Sequence, residues 1–332
     1  MLDTRMKGRW LLRAGLVALG AFGFCAAETR AGFNDLLATN ITGANVTQYN
    51  RVSGGPLGVF ASSPLQFPQG ITIGPDNNVY VSDLGNNTVQ KFRGTDGTSL
   101  GTFVAAGAAG LNNPHSLVFG PNGDLFVTNN RGNNVLEYNG ANGTPVATPI
   151  FASGGGLAAP TGLAFGLDGT LYVASSGSNA ILKVTSAGGV FSPFATGLSA
   201  PAGVTVASDG TIFVANDGGG NVLRYNTSGS LLNTIIGGGL VHPSSIVFDG
   251  VGGMYVASST LGQILRFNAN LAGNVFSFDK VFATANLNTP IALALLPTVV
   301  PEPSSVILVG LGLVAAGGTV VRRARGSRDL VS

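Results

Sequence analysis

Along the middle of the chain, apolar and polar positions alternate with a period of two in runs of about five residues, the pattern of half-buried strands. The alternation recurs as a unit. Prolines at Pro68, Pro114, Pro160, Pro201, Pro243 and Pro290 open similar segments at intervals of 41–47 residues. Five segments align over sixteen positions without a gap: PQGITIGPDNNVYVSD, PHSLVFGPNGDLFVTN, PTGLAFGLDGTLYVAS, PAGVTVASDGTIFVAN and PSSIVFDGVGGMYVAS. Each predicts a hairpin. The first strand alternates, as at Leu117 and Phe119, and the second has an aromatic at one fixed place: Tyr80, Phe126, Tyr172, Phe213 or Tyr255. Between them lie Asp76-Asn77, Asn122-Gly123, Asp168-Gly169, Asp209-Gly210 or Gly252-Gly253, residues that accept the positive φ of two-residue hairpin turns. A third strand follows (VQKF, VLEYN, ILKV, VLRYN, ILRFN) with one outward polar position, Lys91, Glu137, Lys183, Arg224 or Arg266. A weaker fourth strand is predicted at Gly101–Ala105 and Phe191–Ala195.

Four strands per 40–45 residues make a propeller blade. The sixth unit is split. Pro290 opens only IALALL, one strand, whereas residues 35–50 align without a gap to residues 124–139, which run from the second strand to the end of the third. The amino-terminal end therefore supplies strands two to four of a sixth blade, and the carboxy-terminal end supplies strand one. The expected fold is an all-β six-bladed propeller over residues 33–299, closed by both chain ends, which leaves no open ring edge. The pattern Pro-x-Gly-apolar, Asp-Gly, apolar-Tyr-Val-Ala-Asp/Asn resembles the NHL repeat. The whole resembles the gluconolactonase/streptogramin-lyase-like superfamily, and the blade number is similar to that of its gluconolactonase-like propellers.

Composition supports strands and tight turns. Gly occurs 51 times and charged residues make up only 10% of the chain, with Glu at just three positions. The formal charge of +2 hides an uneven distribution. Residues 32–299 hold eight Lys or Arg against eleven Asp or Glu, a net −3, so the body has no basic footprint for nucleic acid. Cys25 is the single cysteine and falls in the amino-terminal leader, which removes thiol chemistry from the mature chain.

The two ends read as addresses. Residues 1–27 form a secretory signal peptide: basic residues to Arg13, a short apolar run from Ala14 to Phe24, then Cys25-Ala26-Ala27. Cleavage is expected after Ala27, or alternatively after Ala31, and Met6 is an alternative start. Residues 300–325 combine Pro301, Glu302 and Pro303, an uncharged run Val306–Val321, and Arg322, Arg323 and Arg325. This resembles the PEP-CTERM tail of Gram-negative bacteria, recognised by exosortase, a membrane protease-transpeptidase. The resemblance implies a C-terminal apolar helix anchored transiently in the membrane, export across the inner membrane, and release at the cell surface or outside it. A plain membrane anchor is the alternative. Residues 326–332 would be a cytoplasmic tail.

The loops before each first strand and after each second strand are expected to crowd one mouth of the channel, where ligand sites of ring folds gather. The candidates there are Gln69, His115 and Thr161 after the repeat prolines, and Asp83, Asn129, Ser175, Asn216, Asp217 and Ser258 at the second-strand ends. Asp83 and Asp217, with Asn129 and Asn216, would suit calcium or magnesium, which prefer oxygen ligands. Alternatively, these side chains cap their own turns. His115-Ser116 is similar to the Pro-His-Gly of streptogramin lyases, whose histidine is essential, with Ser in place of Gly. Gluconolactonase-like propellers hold a divalent metal with Glu, Asn and Asp in the channel, whereas the one Glu of this body, Glu137, is expected on a third strand. The favoured reading is a binding module for a glycan or surface protein, without a certain cofactor and leaning away from an enzyme. The alternative is a secreted metal-dependent lyase or hydrolase with His115 at its centre.

Overall fold

The computed structural model describes residues 35–297; the leader, the sorting tail and the final segment lie outside them. The described residues form six sheets. Their inner strands are Pro68–Ile73, Pro114–Phe119, Pro160–Phe165, Pro201–Val206, Pro243–Phe248 and Pro290–Leu295. In each of the first five blades the chain then winds outward through three further antiparallel strands, in the first blade Val79–Asp83, Thr88–Phe92 and Ser99–Val104. In the sixth, Pro290–Leu295 pairs with Leu36–Asn40, followed by Asn45–Tyr49 and Pro56–Ala61. Leu36 opposes Leu295 and Leu37 opposes Ala294. This is the shared closure that the repeat alignment predicts.

Apolar burial is distributed by junction. Six clusters of buried side chains each join residues of two neighbouring blades. Leu37, Val46 and Phe60 of the sixth blade meet Ile71, Val79 and Phe92 of the first, so the last junction is packed like the others. The fixed second-strand aromatic makes edge-on contacts across the junctions. Tyr80 lies 4.8 Å from Phe103 of its own blade and 4.9 Å from Phe119 of the next. Phe126 repeats this with Phe151 and Phe165. Such pairs add about 0.5–1.5 kcal/mol each beyond their buried area.

A glycine in the turn between third and fourth strands closes the periphery. Gly143, at φ 73°, sits so near the Phe103 carbonyl of the preceding blade that a Cβ would collide with it. Gly97 meets Phe60 in the same way, and Gly54 meets Phe282. The fifth blade departs from this. Its third strand, Gln263–Asn270, is eight residues long against five in the other blades, and the hairpin it forms with Val275–Ala283 reaches over the fourth blade. Arg224 donates to the Leu271 carbonyl at 3.0 Å and to Asn274 Oδ1 at 2.6 Å. Arg224 is consequently only 3% exposed and pairs with Asp209, contrary to the outward position expected for it.

The hairpin turns of the first four blades also differ from the two-residue turns expected: the bonds of Gly74, Gly120, Gly166 and Ala207 close three-residue loops with positive φ at the last residue alone. Gly74 N–H donates to the Asn78 carbonyl and its own carbonyl accepts from Asn77 N–H, leaving a three-residue loop with only Asn77 at positive φ. Pro75 suits the first position of such a turn, and the Asp76 carboxylate takes the Asn78 N–H at 3.1 Å. Outer strands fall at Ser99–Val104 and Ser192–Thr196, within two residues of the expected positions. Among the described residues the helical segments are three short 3-10 turns, and no helix is long and apolar enough to cross a membrane.

Candidate functional site at the channel mouth

Each inner strand has a hydrogen-bonded neighbour on one side only. Its other edge faces the channel, so backbone N–H and C=O groups line the space even where side chains are aliphatic. All six inner strands contribute to one cavity of about 460 Å³, a size suited to a small ligand.

A bulge at the start of each inner strand shapes its mouth. Pro68 pairs with Asp83 and Ile71 with Val81, so Gln69 and Gly70 together oppose Ser82. The second and third blades repeat this, with His115-Ser116 and Thr161-Gly162 as the doubled residues. Bulges re-aim side chains, and here Gln69, His115, Thr161, Ser244 and Ile291 line the cavity. A hydroxyl locks the bulge in half of the ring. Ser82 Oγ accepts from Gly70 N–H at 2.8 Å and donates to the His115 carbonyl of the next blade. Thr128 and Thr39 bridge in the same manner to the carbonyls of Thr161 and Gln69. The other three blades carry Ala174, Ala215 and Ala257 there. The hydroxyl stands in three consecutive blades (sixth, first and second) and Ala in the other three, and this position, one residue before the second-strand end, is the sequence signal that locates the bridges.

The second-strand ends do something else. Asp83 is fully buried and accepts from Gln66 N–H (3.0 Å), Phe67 N–H (2.8 Å), Gly85 N–H (3.2 Å) and Asn86 Nδ2. Asn129 Oδ1 takes Asn112 N–H at 2.7 Å, and Asn216 Oδ1 takes Ser199 N–H at 2.7 Å. Ser175 takes Ala158 N–H at 2.9 Å, and Ser258 takes Val241 N–H at 3.4 Å. All five clasp the loop that enters their own blade and none lines the cavity. Of the nine mouth candidates, the fold brings Gln69, His115, Thr161 and Asp217 to the channel, joined by Ser244 and Ser259.

Their chemistry is uneven. Thr161 Oγ1 donates to the Pro201 carbonyl at 2.9 Å and Ser244 Oγ to that of Pro290 at 3.1 Å. Asp217 Oδ2 lies 3.2 Å from His242 Nδ1 of the next blade. Gln69 is more than nine-tenths buried as a residue, while its amide opens on the cavity and makes no side-chain hydrogen bond among the described residues. The His115 ring, on the neighbouring blade, likewise has none. Desolvation pushes His115 down to about 4, so its imidazole is neutral at pH 7, able to donate from one nitrogen and accept at the other.

The oxygen set does not fit a divalent metal of the gluconolactonase kind. Asp83, Asn129 and Asn216 are engaged as clasps, and among the described residues no three His, Cys, Asp or Glu side chains converge. Glu137 lies on a third strand, away from the cavity, receiving Asn122 Nδ2 at 3.0 Å, with desolvation raising its carboxyl.

The geometry defines a six-bladed propeller with a ligand-sized channel. Residues 65–92 match the NHL repeat, residues 152–260 the SMP-30/gluconolactonase/LRE-like region, and residues 299–325 the PEP-CTERM protein-sorting motif. The chain is thus a six-bladed β-propeller with an NHL-repeat match in its first blade and a match to a sorting signal of the type recognised by exosortase, which implies export by way of the cell envelope of a Gram-negative-type bacterium. Similar solved structures include one from a nidogen/laminin complex (TM-score 0.66, 15% identity, 80% of this chain and 99% of that one). A virginiamycin B lyase from Staphylococcus aureus, crystallised as an inactive variant with quinupristin, gives TM-score 0.55 at 16% identity over 81% and 94%. A gluconolactonase from Xanthomonas campestris gives 0.57 at 19% over 68% and 79%. At these identities the likeness is one of fold. No curated protein sequence matches the chain.

Proposed function

We propose that the protein is a surface-sorted binding module that takes a neutral, hydroxyl-rich ligand such as a glycan end at its channel mouth. The observation that carries this reading is the pair Gln69 and His115: two uncharged, unpartnered hydrogen-bonding side chains on adjacent blades, facing one cavity. An amide and an imidazole that open on the cavity without protein partners are free to bond a ligand in place of water. The lining lacks Lys and Arg, which disfavours anionic ligands. In this reading residues 1–27 direct export, residues 306–321 hold the chain transiently in the membrane, and exosortase-type cutting near Pro301-Glu302-Pro303 frees the body at the cell surface.

A metal-dependent lyase or hydrolase is the competing reading, and His115 at the mouth is the observation in its favour. Binding of the purified protein to a panel of neutral and acidic oligosaccharides separates the two. Neutral glycans should bind, and Gln69→Ala and His115→Ala should each weaken binding about tenfold, the loss of roughly one hydrogen bond (1.4 kcal/mol). Cleavage of a lactone or cyclic ester, abolished by His115→Ala, would overturn the proposal. Binding of surface proteins that ignores both substitutions would move the site off the channel.

A further inference from the structure

Both ends of the described chain leave the ring on one face. The inner strand of the sixth blade runs from Pro290 at the mouth to Leu295 on the opposite side, where Leu36 opposes Leu295 and Leu296 N–H donates to the Asp35 carbonyl at 3.0 Å. Residues 298–305 alone separate this exit from the uncharged run at Val306. Fully extended, those eight residues reach about 28 Å. To reach the mouth side the tether would have to cross the blade, three strand spacings or about 14 Å, and climb a six-residue strand, about 20 Å; the sum exceeds its reach, so the mouth cannot be turned down onto a surface that holds the run.

The exit face has the character of a lipid contact. The three most exposed large apolar side chains among the described residues are Val52 (83%), Val251 (77%) and Leu167 (75%). All three are at turns on this side: Val52 between third and outer strands of the sixth blade, Val251 and Leu167 between first and second strands of the fifth and third. Arg51 Nη1 reaches the Asp249 carbonyl at 3.4 Å, which sets the turns of Val52 and Val251 side by side. Three carboxylates of this face are paired with cations, Asp76 with Lys91 at 2.8 Å, Asp209 with Arg224, and Asp249 with Arg266 at 3.9 Å, whereas Asp168 beside Leu167 bonds Thr170.

We propose that, while the tail is uncut, the propeller stands on the bilayer by this face, with Val52, Val251 and Leu167 at the lipid surface and the channel mouth pointing away. The proposal rests on the reading of residues 306–321 as membrane-inserted.

The test uses the uncut chain recovered from membranes, with Cys25→Ser and one added thiol: Leu167→Cys or Val251→Cys on the exit face, or Val241→Cys beside the mouth. Each is labelled with a polarity-sensitive fluorophore and placed in phosphatidylethanolamine–phosphatidylglycerol vesicles with brominated acyl chains. Labels at 167 and 251 should be quenched severalfold more than the label at 241. Flotation with the vesicles but no quenching at 167 or 251, or stronger quenching at 241, overturns the orientation alone. Failure to float overturns the membrane reading of the tail and the orientation with it.

Discussion

Replacing Asp83 by alanine removes a carboxylate that holds four N–H donors in a fully buried position. Hydrogen bonds to a charged acceptor contribute about 1.5–3 kcal/mol each before the carboxylate's own desolvation is subtracted. Gly85 and Asn86 are half-exposed and Gln66 and Phe67 exposed as residues, so the freed donors recover water and the loss is that of the bonds themselves, net of the carboxylate's desolvation. A net cost of about 3 kcal/mol follows. For a body of this size that lowers Tm by about 6–12 °C. Asp83→Asn should cost about 1 kcal/mol, because an amide at this position already clasps the loops of other blades through Asn129 and Asn216. Thermal unfolding followed by circular dichroism, with EDTA and with millimolar calcium, reads both variants. The clasp requires the same losses in either buffer. A Tm within about 1 °C of the parent for Asp83→Ala, or a loss that appears only with calcium present, would refute it.

Four further outcomes are expected. Gly143→Ala drives a Cβ into the Phe103 carbonyl at positive φ and should cost more than about 1 kcal/mol, read as a lower denaturant midpoint. Arg224→Met removes the bonds to Asp209, Asn274 and the Leu271 carbonyl, while Asp209, about one-third exposed, keeps Thr211 and water, so the cost should be about 1–3 kcal/mol; Asp209→Asn alone should cost less, and a double-mutant cycle reads the coupling. Burial holds His115 at about 4, below its ordinary 6.5. The unfolded chain thus takes up a proton there that the folded chain refuses; this contribution to stability is intact above pH 6.5 and declines as pH falls towards 4. An NMR titration should find the ring neutral at pH 5.5, and a midpoint above 6 would contradict this. Removing residues 290–297 exposes the partners of Leu293 and Leu296, each worth about 1.5–3 kcal/mol, and should abolish cooperative unfolding in calorimetry.

Strand count, blade count and the split sixth blade were legible because they depend on spacing and period alone. Residues 35–50 align to 124–139 without a gap, and the register Leu36 to Leu295 follows. Side-chain direction at strand ends was not legible. A period of two places Asp83 and Gln69 near the mouth, but the doubled residue opposite Ser82 turns Gln69 into the cavity while Asp83 faces its own loop. Nothing in the alternation marks that bulge. The burial of Arg224 had a faint signal, the 47-residue step from Pro243 to Pro290. That step is long enough for the extended hairpin covering it, yet spacing alone does not say which neighbour a hairpin covers.

The closure by Leu36–Asn40 and Pro290–Leu295 also sets a timetable for folding. The last junction joins segments about 250 residues apart, so it cannot form until nearly the whole body has been synthesised. Long-range pairing of this kind is slow. A chain exported from its amino-terminal end would therefore have no closed ring until residues 290–295 had followed it across. The closing strand is followed within six residues by Pro301. Completion of the ring and delivery of the sorting signal thus come at the same moment, and a chain broken off before Leu295 carries neither.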